Sequence, residues 1–164
     1  VHREPSRRTS AAELNWLTPA QQRAWRAYMD GHLRLMTVLN RQLQRDNDLS
    51  VAEYRILVLL SEAPERSLRM SELADGVLSS RSRLTHQIRR MEAQQLVRRN
   101  TCPDDGRGVI AELTDEGVRR LEAAAPGHVD TVRRNFINQV SSAQLEVIGE
   151  VFARVDQAIG ERAD

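Results

Sequence analysis

Ser80, Arg81, Ser82, Arg83, Thr85, His86, Arg89 and Arg90 lie close together in the middle of the sequence and carry groups of the kind that can hydrogen-bond the bases and phosphates of duplex nucleic acid. A guanidinium can donate two parallel hydrogen bonds to guanine O6 and N7 in the major groove, and hydroxyl or imidazole groups can reach neighbouring base edges or phosphates. Spacing decides whether they act together. At about 100° per residue on a helix, Leu84, Ile88 and Met91 fall within about 60° of one another, while Ser82, His86 and Arg89 point the opposite way, flanked by Arg83 and Arg90. One face is therefore core and the other is cationic and rich in donors. The plainer alternative is a solvated charged face that binds nothing.

A second basic group follows. Arg98 precedes a turn, and Arg107 lies in it with Asp105 two residues earlier, placed to hold the guanidinium in orientation. Such an arginine can enter the minor groove or clamp a phosphate; a solvated turn residue is the alternative. The charge distribution favours the first reading. The net charge of the chain is only +1, yet between Ser79 and Gly108 seven arginines (Arg81, Arg83, Arg89, Arg90, Arg98, Arg99 and Arg107) face only Glu92, Asp104 and Asp105. All 24 basic residues are arginine, which codon bias explains without reference to function.

These groups need elements to position them. Thr18 and Pro19 form a helix start, and Trp25, Met29, Leu33, Met36, Leu39 and Leu43 recur at helical spacing, predicting a long first helix to about Asp46. Ser50 and Glu53 form a capping box for a second helix, about Val51 to Glu62, stopped by Pro64. An extended segment, Ser67 to Met70, then leads to a small helix, about Ser71 to Gly76, with Leu73, Ala74 and Val77 inward. Ser79 and Ser80 cap the cationic helix, which reaches about Gln94. Beyond it the period changes to two, and Asp105-Gly106 marks a hairpin between Val97–Thr101 and Val109–Leu113. Thr114 caps a further helix that Pro126-Gly127 should kink or interrupt before it resumes to about Val140. Ser141 and Gln144 open a last helix with Leu145, Ile148, Phe152, Val155 and Ile159 on one face.

The predicted fold is mainly α with a small β-hairpin wing, in the order α-α-β-α-α-β-β-α-α. A short helix, a turn, a basic helix and a hairpin in succession form a winged helix-turn-helix, here residues 49–114. Residues 13–48 and 115–164 form a helical dimerisation region, and residues 1–12 a flexible basic arm. The apolar faces of the first and last helices exceed what one small subunit can cover, which predicts a homodimer.

Other chemistry is poorly supplied. A chain of 164 residues, 40% apolar and 29% charged, suits one compact soluble domain. No apolar run approaches the roughly 18 residues of a spanning helix, and Val1 to Ser10 has no signal-peptide core, so a cytoplasmic protein with no membrane partner is expected. The single Cys102 fits a reducing compartment. His2, His32, His86 and His128 show no metal-ligand spacing. No glycine-rich phosphate loop, nucleophile elbow or paired-acid motif is present, so neither an enzyme nor a cofactor is expected.

Three stretches carry a resemblance to a known family. Leu68-Arg69-Met70-Ser71-Glu72-Leu73-Ala74, the helix from Ser80 to Leu96 with Val97, and Asp105-Gly106-Arg107 followed by Leu113-Thr114-Asp115-Glu116-Gly117 resemble the MarR transcription regulators. The likeness extends from about Leu14 to Ile159 and includes the opening Asn15-Trp16-Leu17-Thr18-Pro19. It implies a homodimer of intertwined terminal helices that presents two winged domains to a pseudo-palindromic site on double-stranded DNA. It also implies repression, relieved in many members by a small, often aromatic or anionic effector between the dimer frame and the DNA-binding part. Trp16, Trp25, Tyr28, His32 and Met36 are candidates to line such a crevice; packing in the dimer core is the alternative. Two features depart from the family. Cys102 lies at the wing rather than in the first helix, where oxidant sensors carry theirs, and Arg83 and His86 stand where hydroxyl and arginine residues are common. A partner-docking winged helix that does not touch DNA is the rival reading, but such a helix would expose apolar anchors.

Overall fold

The computed structural model describes residues 15–101 and 108–160. The predicted basic arm and the hairpin turn with Cys102, Asp105 and Arg107 lie outside them. Contacts divide the chain into two compact units, Val1–Arg34 and Leu35–Asp164.

The division falls within the first helix, α1 (Pro19–Asn47). In the first unit Thr18 closes the helix start reciprocally: its amide donates to Gln21 Oε1 at 2.8 Å, and its hydroxyl accepts from the Gln21 amide at 3.3 Å. The apolar side chains Leu17, Trp25 and Leu33 stay exposed.

The second unit is built around α2 (Val51–Glu62). Its capping box is present, with the Glu53 amide donating to Ser50 Oγ and the Ser50 amide donating to the Glu53 carboxylate. Pro64 cannot continue the helix and opens a 3-10 turn, Pro64–Arg66. There follow β1 (Ser67–Arg69), α3 (Met70–Gly76), α4 (Arg81–Ala93), β2 (Val97–Thr101) and β3 (Val109–Leu113). Helix α5 (Asp115–Asn135), a 3-10 turn at Ile137–Gln139 and α6 (Ser142–Gly160) complete the described chain. One core joins Leu43 and Leu49 with Ile56, Leu57 and Leu60 of α2, Leu73 of α3, Leu84, Ile88 and Met91 of α4, and Ala124 of α5. Each of these side chains but Ala124 carries enough buried apolar area to be worth about 1.5–3 kcal/mol.

The extended segment expected before α3 joins the hairpin: β1 pairs antiparallel with β3, Leu68 opposite Ala111, giving a three-stranded sheet in the order β1-β3-β2. One expectation is corrected. Pro126 does not interrupt its helix, for α5 runs unbroken past it and ends at Asn135, before the predicted Val140. Proline removes a single backbone donor here, and tertiary packing outweighs it, since Ala124 and Thr131 are buried on either side. The Thr131 hydroxyl also donates to the Gly127 carbonyl at 2.8 Å.

The start of α5 requires a glycine. A Cβ on Gly117 would stand 2.2 Å from the Leu96 carbonyl oxygen and 2.6 Å from Leu113 Cδ1. Thr114, the cap of α5, donates its hydroxyl to the Gln95 and Leu96 carbonyls at 2.6 and 3.0 Å. Together they fix α5 against the corner between α4 and β2.

Candidate nucleic-acid interface

Helix α4 is aimed by what precedes it. Arg55 of α2 donates from Nε and Nη2 to the Gly76 carbonyl at 3.2 and 2.9 Å, occupying an acceptor that the end of α3 leaves open. The chain then turns through Leu78, whose φ of 52° is left-handed, and the Ser79 amide returns to the Ala74 carbonyl at 3.0 Å. That pattern stops α3 sharply. Ser80 Oγ accepts from the Arg83 amide at 3.3 Å and starts α4 one residue later.

Leu84, Ile88 and Met91 of α4 are fully buried, while Arg81, Ser82, Arg83, His86 and Arg89 are exposed. The two-faced helix expected from spacing is therefore present. Thr85 is half-buried and donates its hydroxyl to the Arg81 carbonyl at 2.8 Å, which leaves its oxygen able only to accept. Arg81, Arg83 and Arg89 have no carboxylate within ion-pairing distance among the described residues, so their guanidinium groups are available to a ligand. A cleft of about 330 Å³ opens beside them, lined by Met70, Ser71, Arg81, Thr85, Arg99 and Val109.

Three other arginines of the basic stretch are already engaged. Arg90 Nη2 lies 2.9 Å from Glu53 Oε1, a carboxylate only 2% exposed. Arg98 and Glu112 are direct partners in the β2–β3 register and pair side chain to side chain, Nε to Oε2 at 2.9 Å and Nη2 to Oε1. Asn100 Nδ2 donates to the same carboxylate at 2.9 Å. The Arg98 hydrogen bond holds the Glu112 carboxyl below its usual range, and the same pairing raises the Arg98 guanidinium. Arg99 binds Glu92 at the end of α4 through its amide at 3.1 Å, Nε at 2.9 Å and Nη2 at 2.7 Å, which lowers the Glu92 carboxyl.

Counting charge along the sequence sets only Glu92, Asp104 and Asp105 against the basic stretch and assigns no pairs, whereas the structure pairs Arg90, Arg98 and Arg99 with Glu53, Glu112 and Glu92. Only the Arg98–Glu112 pair had a local signal, because a hairpin register places them opposite each other. Glu53 was legible as a capping residue but not as an ion-pair partner, since Arg90 is brought to it by the packing of α4 on α2.

The aromatic candidates lie on α1 and just before it. Trp25 and Tyr28 have ring centroids 5.7 Å apart, and Tyr28 and His32 stack at 5.8 Å, forming a short ladder along an exposed face. Trp16 is exposed and Met36 half-buried. Among the described residues, no group of three or more His, Cys, Asp or Glu is placed to hold a metal ion, and no helix is long and apolar enough to cross a membrane.

Comparison with known proteins points the same way. Residues 47–108 match a family model described as MarR family. The structure is similar to that of Sco3205, a MarR family transcriptional regulator from Streptomyces coelicolor solved in complex with DNA. Its TM-score is 0.86 and its identity 43%, over 88% of this chain and 94% of that one. AbsC, a MarR family transcriptional regulator from the same organism, has a TM-score of 0.86 at 38% identity, over 90% of this chain and 99% of that one. The transcriptional repressor YetL of Bacillus subtilis is 29% identical over 110 residues, 65% of this chain and 66% of its own length.

Proposed function

We propose that this chain, which belongs to the MarR family, acts as a homodimer that binds a pseudo-palindromic operator and represses the adjoining genes. It is a DNA-binding transcription regulator rather than an enzyme. The observation that carries the reading is the two-faced α4, with Leu84, Ile88 and Met91 buried and Arg81, Arg83 and Arg89 exposed without acidic partners among the described residues. Such a helix can lie in the major groove with its cations toward the bases while its apolar face stays in the core.

In this reading Arg81, Ser82, Arg83, Thr85, His86 and Arg89 meet base edges and nearby phosphates, and Ser80 sets where the helix begins. Arg107 and Asp105, outside the described residues, are assigned to the flanking minor groove, and Arg98 to its backbone. DNA binding is assigned to residues 49–114 and dimerisation to residues 13–48 and 115–164. Support for the frame comes from α6, which has no buried residue in the single chain and leaves Val147, Val155 and Ile159 exposed. Rows of that size need a partner. The protein works in the cytoplasm, where the DNA is.

Release by a small effector extends the proposal. The Trp25, Tyr28 and His32 ladder supports an aromatic ligand, since stacked rings present flat apolar surface with a polar edge. Such a ligand acts by favouring the spacing of the two α4 helices that does not match the operator, which takes only a few kcal/mol of differential affinity.

The test is selection of DNA fragments by the purified chain, followed by anisotropy titration at several salt concentrations. A recovered site should be two-fold symmetric, with half-sites about one helical turn apart. Recovery of no preferred sequence at moderate salt would count against sequence-specific regulation.

A further inference from the structure

Arg90 lies on the recognition helix, yet its closest partner is not solvent. Its Nη2 is 2.9 Å from Glu53 Oε1, and Glu53 is 98% buried by its 2% exposure, on a different helix. The same carboxylate accepts from the Ser50 amide at 2.8 Å and the Ser50 hydroxyl at 2.7 Å. A buried carboxylate with three donors is held in one place, and it holds them in turn.

We infer that Arg90 is a positioning residue rather than a groove contact: Glu53 clamps it and thereby fixes the orientation of α4 on α2. This rests on the reading of α4 as the recognition helix. The clamp grips the last turn of α4, where Glu92 also binds Arg99 of β2, so that end is tied to α2 on one side and to the hairpin on the other. The first turn, with Arg81, Ser82 and Arg83, has no such ion pair among the described residues and is held by the Ser80 cap and the apolar face. A small tilt about the last turn moves the first turn most. The clamp therefore acts at a distance on the residues that meet the bases.

Two variants separate the roles. Glu53→Gln keeps the capping box, which glutamine also forms, but removes the charge that holds Arg90. The freed guanidinium is already 68% exposed and is solvated at once, so the fold survives. Arg90→Leu removes the clamp from the other side. If Arg90 positions α4, each variant lowers affinity for the selected operator about tenfold, the scale of one lost bidentate base contact. Non-specific affinity and the salt slope should stay as in the parent, and the double variant should lose no more than either single one. Amide hydrogen exchange within residues 81–93 should also speed up in Glu53→Gln without DNA.

A different pattern overturns the inference. If Arg90 instead neutralises a phosphate, Arg90→Leu lowers the salt slope by about one, while Glu53→Gln binds as well as the parent or better. Unchanged exchange in α4 of Glu53→Gln also overturns it, whatever the DNA result. Should Arg90→Leu fail to fold, Glu53→Gln still decides. A parent chain that selects no site refutes the recognition-helix reading and this inference with it, whereas a parent that binds beside an equally tight Glu53→Gln refutes the inference alone.

Discussion

At the scale of single residues, a guanidinium is defined by what already satisfies it. Arg83 is exposed at the start of α4 and has no acidic partner among the described residues. Arg83→Ala should therefore cost about 1–3 kcal/mol of operator binding and relax preference at one base position, read by competition with single-base operator variants. Arg99 is the opposite case, spent on Glu92, and titration exposes the difference. The Glu92 and Glu112 carboxyls are lowered by their arginine hydrogen bonds, so each contributes stability that is fully present above the ordinary carboxylate value and is lost as pH falls through the lowered one. Thermal unfolding followed between about pH 6 and pH 3 should show this loss, and a Glu92→Gln, Glu112→Gln double variant should flatten it. An unchanged profile would mean that these pairs are solvated in solution.

Elements are where sequence reading succeeded and where it stopped. Ser50 with Glu53 and Ser80 were legible because an N-cap is a local event, written within four residues. The stops of α3 and α4, expected at about Gly76 and Gln94, fall there. Left-handed turns at Leu78 and Gln95 close them, positions where no glycine announces the conformation. The unbroken α5 was illegible for a related reason, since what holds it through Pro126 is burial of Ala124 against residues far away in sequence. At the interface, the spacing of α4 revealed its two faces, but not which arginines the fold had engaged. Gly117 is another long-range requirement. Gly117→Ala should destabilise the fold by about 1–3 kcal/mol, because its Cβ would meet, besides the Leu113 side chain, the Leu96 backbone, which cannot swing away. Chemical denaturation would measure it, and a neutral result would show that the start of α5 can shift. His128 offers a pH readout of the same helix: its ring lies 4.4 Å from Tyr54 of α2, and burial lowers its imidazole below the ordinary 6.5. The contact is then most stable above that value and weakens as pH falls below it, an effect that His128→Phe should abolish.

For the whole molecule, the decisive feature is apolar surface that one chain leaves uncovered. Helix α6 begins with a reciprocal Ser141–Gln144 cap and runs to Gly160 without burying a single residue. A helix of that length is marginal in water without packing, so its exposed Val155 and Ile159 suit a surface beyond the helix itself. In the proposed homodimer a second copy would supply one, and pairing of two chains would also present two α4 helices to two half-sites. Binding then gains from effective concentration, since docking one half-site holds the other chain near its own. Val155→Asp, which sets a charge in the middle of the exposed row, should convert the protein to monomer in analytical ultracentrifugation and weaken operator binding by about 10²-fold or more. The α2–α4 core lies elsewhere, so the monomer should keep its near-native circular dichroism in the DNA-binding part. A Val155→Asp protein that stays dimeric would place the interface on another face. One that is monomeric yet binds as tightly as the parent would show that a single winged domain suffices for the site.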